Sequence, residues 1–180
     1  MKNYSTKNVT LDNARGKLEF RLTNDYLFRA VFQTNDKALK GLLCSLLHLD
    51  ASTVKKIEIL NPVELGRALN NKEFRLDIKI RLNSRQTINL EMQVENLGNW
   101  EQRSLSYTCR MFDSLNKGLG YDNARPVMNI GILDFTLKTD APEFYSTYKI
   151  LNEDSGLPFS EDLTIKILDL TIVNDINTCR

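Results

Sequence analysis

The chain has 180 residues, 42% hydrophobic and 26% charged, with 24 Lys and Arg set against 23 Asp and Glu for a net charge of +1. This length supports one substantial core and favours a single domain, and the composition excludes a disordered or collagen-like chain. The near balance of charge argues against tight non-specific nucleic-acid binding by the isolated chain, although a local basic groove is invisible in a total.

Cys44, Cys109 and Cys179 are far apart, and His48 is the only histidine. No Cys/His cluster exists, which excludes a structural zinc site and leaves free thiols in a reducing cytoplasm as the simple reading. The first ten residues lack an apolar h-region. No stretch approaches the ~18 consecutive apolar residues of a membrane span. The expected setting is cytoplasmic, with no membrane partner.

Residues 1–21 are polar and weakly patterned, and read as an N-terminal arm with Leu18 and Phe20 as docking points; residues 22–180 then form a single domain. Thr23 or Asn24 can cap a short helix carrying Leu27, Phe28, Val31 and Phe32 on one side. A second helix is predicted near Asp36, with Leu39, Leu42, Leu43, Leu46 and Leu47 at helical spacing and His48 near its end. Residues 57–65 look extended, and Pro62 marks an edge strand or an interruption.

The most ordered stretch follows. Phe74, Leu76, Ile78, Ile80 and Leu82 alternate with Arg75, Asp77, Lys79 and Arg81; after Asn83-Ser84-Arg85, Ile88, Leu90, Met92 and Val94 alternate with Asn89, Glu91, Gln93 and Glu95. Period-two patterning on both sides of a short polar break predicts a β-hairpin with one buried face. Gly98 interrupts the second strand. A helix from about Trp100 to Asn116 should bury Leu105, Phe112 and Leu115 and stop at Lys117-Gly118. Val127–Phe135 reads as a strand buried on both faces. Residues 138–160 read as loop, and Leu163–Val173 as a further strand. The expected architecture is a mixed α/β sandwich around a central sheet.

Centring the hairpin turn on Ser84 pairs Leu76 with Met92, Ile78 with Leu90 and Ile80 with Ile88. On the other face Asp77 then lies opposite Glu91, and Arg75 opposite Gln93. A slip of one residue would put the apolar row into water. Opposed side chains have Cβ atoms roughly 4.5–5.5 Å apart, so two ionised carboxylates there repel. A shared proton, an adjacent cation such as Lys79, or a bound metal can compensate. An open, oxygen-rich site of this kind suits Mg²⁺ or Mn²⁺, which activates water and stabilises charge on a phosphate. Gln93 projects to the same side, where it can orient water or hold a phosphate oxygen. The competing reading is a solvated, charge-alternating sheet face with Asp77 paired to Lys79 or Arg75. Arg103 and Tyr107 share a helix face and can meet a phosphate, pair with a carboxylate, or simply stack. Asn24-Asp25 fits a helix cap better than a ligand.

Taken in order, Asn24-Asp25-Tyr26-Leu27-Phe28, Leu76-Asp77-Ile78, Asn89-Leu90-Glu91-Met92-Gln93, Arg103 and Tyr107, Gly118 and Tyr121, and Pro126-Val127 to Ile132-Leu133-Asp134-Phe135 give the chain a wider likeness. Over roughly residues 22–137 it resembles the transposase-like, recombination-promoting branch of the PD-(D/E)XK nuclease superfamily. The resemblance implies a restriction-endonuclease-like αβββαβ core with a mixed central sheet flanked by helices. It assigns Asp77, Glu91 and Gln93 as catalytic, with Gln93 where the wider superfamily usually has lysine. It implies metal ligation by Asp77, Glu91 and the Met92 carbonyl, with Asp25, Arg103 and Tyr107 in support. The implied activity is Mg²⁺-dependent (or Mn²⁺-dependent) endonucleolytic cleavage of DNA in mobile elements or recombination, and a homodimer would supply two sites for double-strand cleavage. The alternatives are a catalytically silent DNA-binding or assembly module on the same fold, and a purely structural domain. Members of this branch usually continue beyond Asn177-Thr178-Cys179-Arg180, which leaves a C-terminally truncated copy open.

Overall fold

A computed structural model describes residues 21–64, 74–75, 77–113, 118 and 120–172, with the backbone alone at 25, 63–64 and 74–75. Residues 1–20 of the expected arm, Leu76, Leu115 and residues 173–180 lie outside the described residues. Helices α1 (Asp25–Thr34) and α2 (Asp36–Leu47) come first. Strands β1 (Ile57–Leu60), β2 (Val63–Glu64), β3 (Phe74–Arg75), β4 (Ile78–Leu82) and β5 (Gln86–Gln93) follow. Helix α3 (Trp100–Phe112) leads to β6 (Val127–Leu133), β7 (Tyr145–Lys149) and β8 (Leu163–Asp169).

Both early helices start on asparagine caps, as their sequences require. Asn24 accepts the Leu27 N–H at 3.0 Å, and Asn35 accepts the Ala38 N–H at 2.9 Å, each satisfying one orphan donor of a first turn. His48 closes α2 in the left-handed region at φ 53°. The apolar sides match the predicted spacing: Phe28, Phe32, Leu39, Leu43 and Leu46 are buried.

Among the described residues six strands form one sheet in the order β1-β4-β5-β6-β8-β7, and β2 pairs with β3 in a separate two-stranded ribbon. β1, β4 and β5 are antiparallel neighbours, whereas β6 lies parallel to β5 and β8 parallel to β6. With the helices before β1 and between β5 and β6, this is the expected mixed α/β architecture, consistent with a restriction-endonuclease-like fold. The hairpin register is the one centred on Ser84: Ile78 faces Leu90, Ile80 faces Ile88, and Leu82 faces Gln86. At the turn the Asn83 carboxamide accepts the Lys55 N–H at 2.8 Å and donates to the Thr53 carbonyl at 3.0 Å, tying the hairpin to the segment leading into β1.

Even-numbered residues of β4, β5 and β6 meet α1 and α2 in one core, built on Phe28, Leu39, Leu43, Ile78, Ile80, Ile88, Leu90 and Ile130. The opposite face is not the solvated one the hairpin pattern suggested. α3 packs on β6 and β8 on this side and sends Arg103 to β5, and every residue of β5 from Thr87 to Met92 is buried. Its seat depends on Gly131, where a Cβ would stand 2.2 Å from the Trp100 ring. Ser104 and Thr108 of α3 and Asn89 and Asn129 of the sheet are all buried, with the Asn89 amide donating to Asn129 Oδ1 at 2.7 Å. A polar layer on a helix-covered face imitates the alternation of a surface strand, which is why periodicity alone misplaced it.

Three further expectations change. The strand from Phe74 to Leu82 is interrupted at Asp77, so Arg75 pairs with Val63 and not with Gln93. α3 turns Trp100, Ser104, Thr108 and Met111 inward and leaves Leu105 55% exposed, because a covering face of small polar residues allows the close approach that Gly131 begins. The segment read as loop contains β7, an edge strand paired with β8. Tyr145 of β7 donates its hydroxyl to the Leu46 carbonyl near the end of α2 and packs edge-on to His48. That contact satisfies an end-of-helix carbonyl and holds the strand without an apolar repeat.

The packing at Gly131 gives a direct check. Gly131→Ala forces the Trp100 indole to move and is expected to cost about 1–3 kcal/mol, the usual range for overpacking. Denaturant unfolding measures it, and wild-type stability in this variant would mean that α3 does not sit on β6 as described.

Candidate metal and nuclease site

Asp77, Glu91, Met92, Gln93, Arg103 and Tyr107 line one open cleft of about 370 Å³, with Val94 and Glu95 completing its wall. Three elements converge there: the entry to β4, the end of β5 and the inner edge of α3. Asp25 is the first residue of α1, and its side chain lies outside the described residues.

Asp77 reaches the cleft because the β4 ladder stops short of it. β4 begins at Ile78, opposite Leu90, so Met92 lies beyond its last ladder partner. The Asp77 Oδ2 atom takes that place, accepting the Met92 N–H at 2.9 Å. From the other side, the Gln33 amide of α1 donates to the Asp77 carbonyl at 3.1 Å. Asp77 and Glu91 are therefore neighbours through the strand end and not a ladder pair, as continuous pairing would have made them.

Glu91 is only 5% exposed. Its Oε1 meets Arg103 Nη2 at 2.5 Å, while its Oε2 is buried with no hydrogen-bond partner. Burial pushes the Glu91 carboxyl up to about 7; the Arg103 charge opposes that rise, and the Asp77 carboxylate adds to it. Tyr107, one turn after Arg103, is half-buried, and burial together with the Glu91 and Asp77 charges pushes its phenol up. It stands in the cleft as a neutral hydroxyl.

Gln93 is held at both ends of its amide. Nε2 donates to the Glu95 carbonyl at 2.8 Å, and Oε1 accepts from Arg103 Nη2. Of the two partners weighed for Arg103, phosphate or carboxylate, the folded chain supplies the carboxylate, and adds Gln93. Sequence reasoning missed the Gln33 and Glu95 anchors. Both act through backbone carbonyls, and no residue pattern announces such contacts. A smaller hollow of about 190 Å³ lies on the far side of α3, between Leu105, Leu137 and Ile165. Its lining is mostly apolar, and its single carboxylate, Glu101, is paired with Lys138.

A family model described as PD-(D/E)XK nuclease family transposase matches residues 22–178. The chain belongs to this family. No curated protein matches it. Membership in a nuclease and transposase family agrees with the fold and with a cleft built around two acids. Among the described residues no helix is long and apolar enough to cross a membrane.

The raised Glu91 carboxyl sets a pH dependence. Its folded value of about 7 lies above its ordinary 4.5. The folded state therefore binds the proton more tightly, and this contribution to stability is full below about pH 4.5 and lost as pH rises through about 7. The loss is on the order of 3 kcal/mol, at 1.36 kcal/mol per unit. Glu91→Gln removes it, so its stability relative to wild type should rise between pH 5 and pH 8 in denaturant titrations without added metal. A constant difference across that range would contradict the burial of this carboxyl.

Proposed function

We propose that this family member is a divalent-metal-dependent DNA endonuclease whose ion is held by Asp77, Glu91 and the Met92 carbonyl. The observation that carries the reading is the buried, unpartnered Oε2 of Glu91 in a cleft shared with Asp77. A buried carboxylate oxygen without a donor is costly unless a cation completes it. Among the described residues no three His, Cys, Asp or Glu side chains come together. Two carboxylates and a backbone carbonyl form an all-oxygen, incomplete set that leaves positions for water and phosphate. That donor set fits Mg²⁺ or Mn²⁺.

When bound, such an ion supplies an acidified water and neutralises charge on a phosphate. The chain's own residues do the rest. Asp77 is fixed by the Met92 N–H, so one carboxylate stands ready without rotamer search. Arg103 holds Glu91 Oε1, keeping positive charge beside a carboxyl that burial would otherwise protonate. Tyr107 adds an uncharged polar side chain to the wall of the cleft beside Arg103. The nuclease family description supports DNA as the substrate class, and its transposase wording supports a setting in mobile elements or recombination.

Plasmid nicking tests the proposal. Wild type should nick supercoiled DNA with Mg²⁺ or Mn²⁺ and not with chelator. Asp77→Ala and Glu91→Ala should each lower the rate by roughly 100-fold or more, the scale seen when charge-stabilising groups are removed. DNA binding with no nicking under either metal would instead favour the catalytically silent module.

A further inference from the structure

Position 93 carries glutamine, yet the cleft is not without a cation. One nitrogen, Arg103 Nη2, contacts both Glu91 Oε1 and Gln93 Oε1. Gln93 Oε1 accepts from Arg103, and Nε2 gives one of its two N–H groups to the Glu95 carbonyl, so the orientation of Gln93 is set at both ends. Gln93 therefore serves as a strut between Arg103 and the β5 backbone, in place of the free amide expected to orient water. Arg103 itself is anchored in α3 and only 25% exposed at its side chain, with Nε buried. Its guanidinium is thus braced by the helix, by Glu91 and by Gln93. An arginine placed to sweep up phosphates from solution would be more exposed and less committed.

We propose that Arg103 is the positioning residue of the cleft: it locks Glu91 and Gln93 into one unit, leaves Glu91 Oε2 as the oxygen available to a cation, and brings from α3 the positive charge that position 93 lacks. The proposal rests on the divalent-metal reading above. Its logic is that of an outer partner of a metal ligand, which orients the ligand while staying off the ion. A planar guanidinium suits the task, since the two N–H groups of Nη2 are fixed in its plane, whereas a lysine ammonium would meet the two acceptors less rigidly.

Two effects of removing Arg103 have opposite signs, which makes the inference testable without cleavage. Loss of a nearby positive charge alone would tighten cation binding. Loss of positioning weakens it, by about 10–100-fold for outer partners of metal ligands. The experiment is calorimetric titration of the whole chain with Mn²⁺ alone, on wild type, Arg103→Gln, Arg103→Lys and the double variant Gln93→Lys/Arg103→Gln, alongside plasmid nicking. Arg103→Gln should weaken Mn²⁺ binding at least tenfold. Arg103→Lys, which keeps the charge and guards against a folding failure, should fall between it and wild type. The double variant should recover part of the lost Mn²⁺ affinity and nicking, because a lysine at 93 can donate to Glu91 Oε1 and restore its orientation, against the repulsion that its charge adds; a purely structural arginine predicts no such rescue.

Unchanged or tighter Mn²⁺ binding in Arg103→Gln and Arg103→Lys, with weaker DNA binding, would overturn the proposal and make Arg103 a phosphate contact. Wild type that binds Mn²⁺ but does not nick would overturn the endonuclease reading alone. Wild type that binds no Mn²⁺ would overturn both.

Discussion

Glu91 is a carboxylate enclosed between a sheet and a helix, and the arrangement around it follows from balancing its charge. Burial alone would leave it protonated. Arg103 from α3 and the neighbourhood of Asp77 pull in opposite directions, and the carboxyl ends near neutrality. A buried ion pair of this kind is weak evidence for stability, since desolvation can exceed the Coulombic gain. Arg103 keeps positive charge beside Glu91 Oε1 while Oε2 is left without a donor, which is the arrangement that the proposed ion would complete. The seat of α3 serves the same end. Trp100 over Gly131 brings the helix close enough for Arg103 to reach β5.

The sheet explains why these groups meet. The β4 ladder ends at Ile78 while β5 runs on to Gln93, so the strand end exposes the Met92 N–H and lets Asp77 fold onto it. Continuous pairing through Arg75 would have spent those backbone groups on the ladder. Breaking it creates a cleft whose carboxylate is positioned by the backbone it replaces. Gln33 braces the break from α1, which ties the first helical layer to the cleft.

Much of this was readable from residue order, for identifiable reasons. The hairpin register followed from burial of the even-numbered row, and the Asn24 cap and the leucine spacing place α1 and α2, whereas the Asn35 cap of α2 was not foreseen. The grouping of Asp77, Glu91, Met92, Gln93, Arg103 and Tyr107 also followed, from shared strand and helix faces together with family resemblance. What was not readable depended on contacts far apart in sequence. The covered face of β5 carries Asn89 and Glu91, which look like surface residues until α3 lies over them. β7 lacks an apolar repeat and is held by Tyr145 against α2. The interruption at Asp77 sits inside an unbroken alternating pattern, so period-two logic had no reason to stop there. Leu105 fits an apolar helical face, yet that face points outward, because Gly131 draws the Trp100 side of α3 toward the sheet.

The central claim is that Asp77 and Glu91 together hold a divalent ion. Anomalous X-ray diffraction from crystals soaked in Mn²⁺ tests it most directly. The account predicts a peak in the cleft, bound by Glu91 Oε2, an Asp77 carboxylate oxygen and the Met92 carbonyl. A cleft with no peak at Mn²⁺ concentrations that support nicking, or a peak only elsewhere on the molecule, would contradict it.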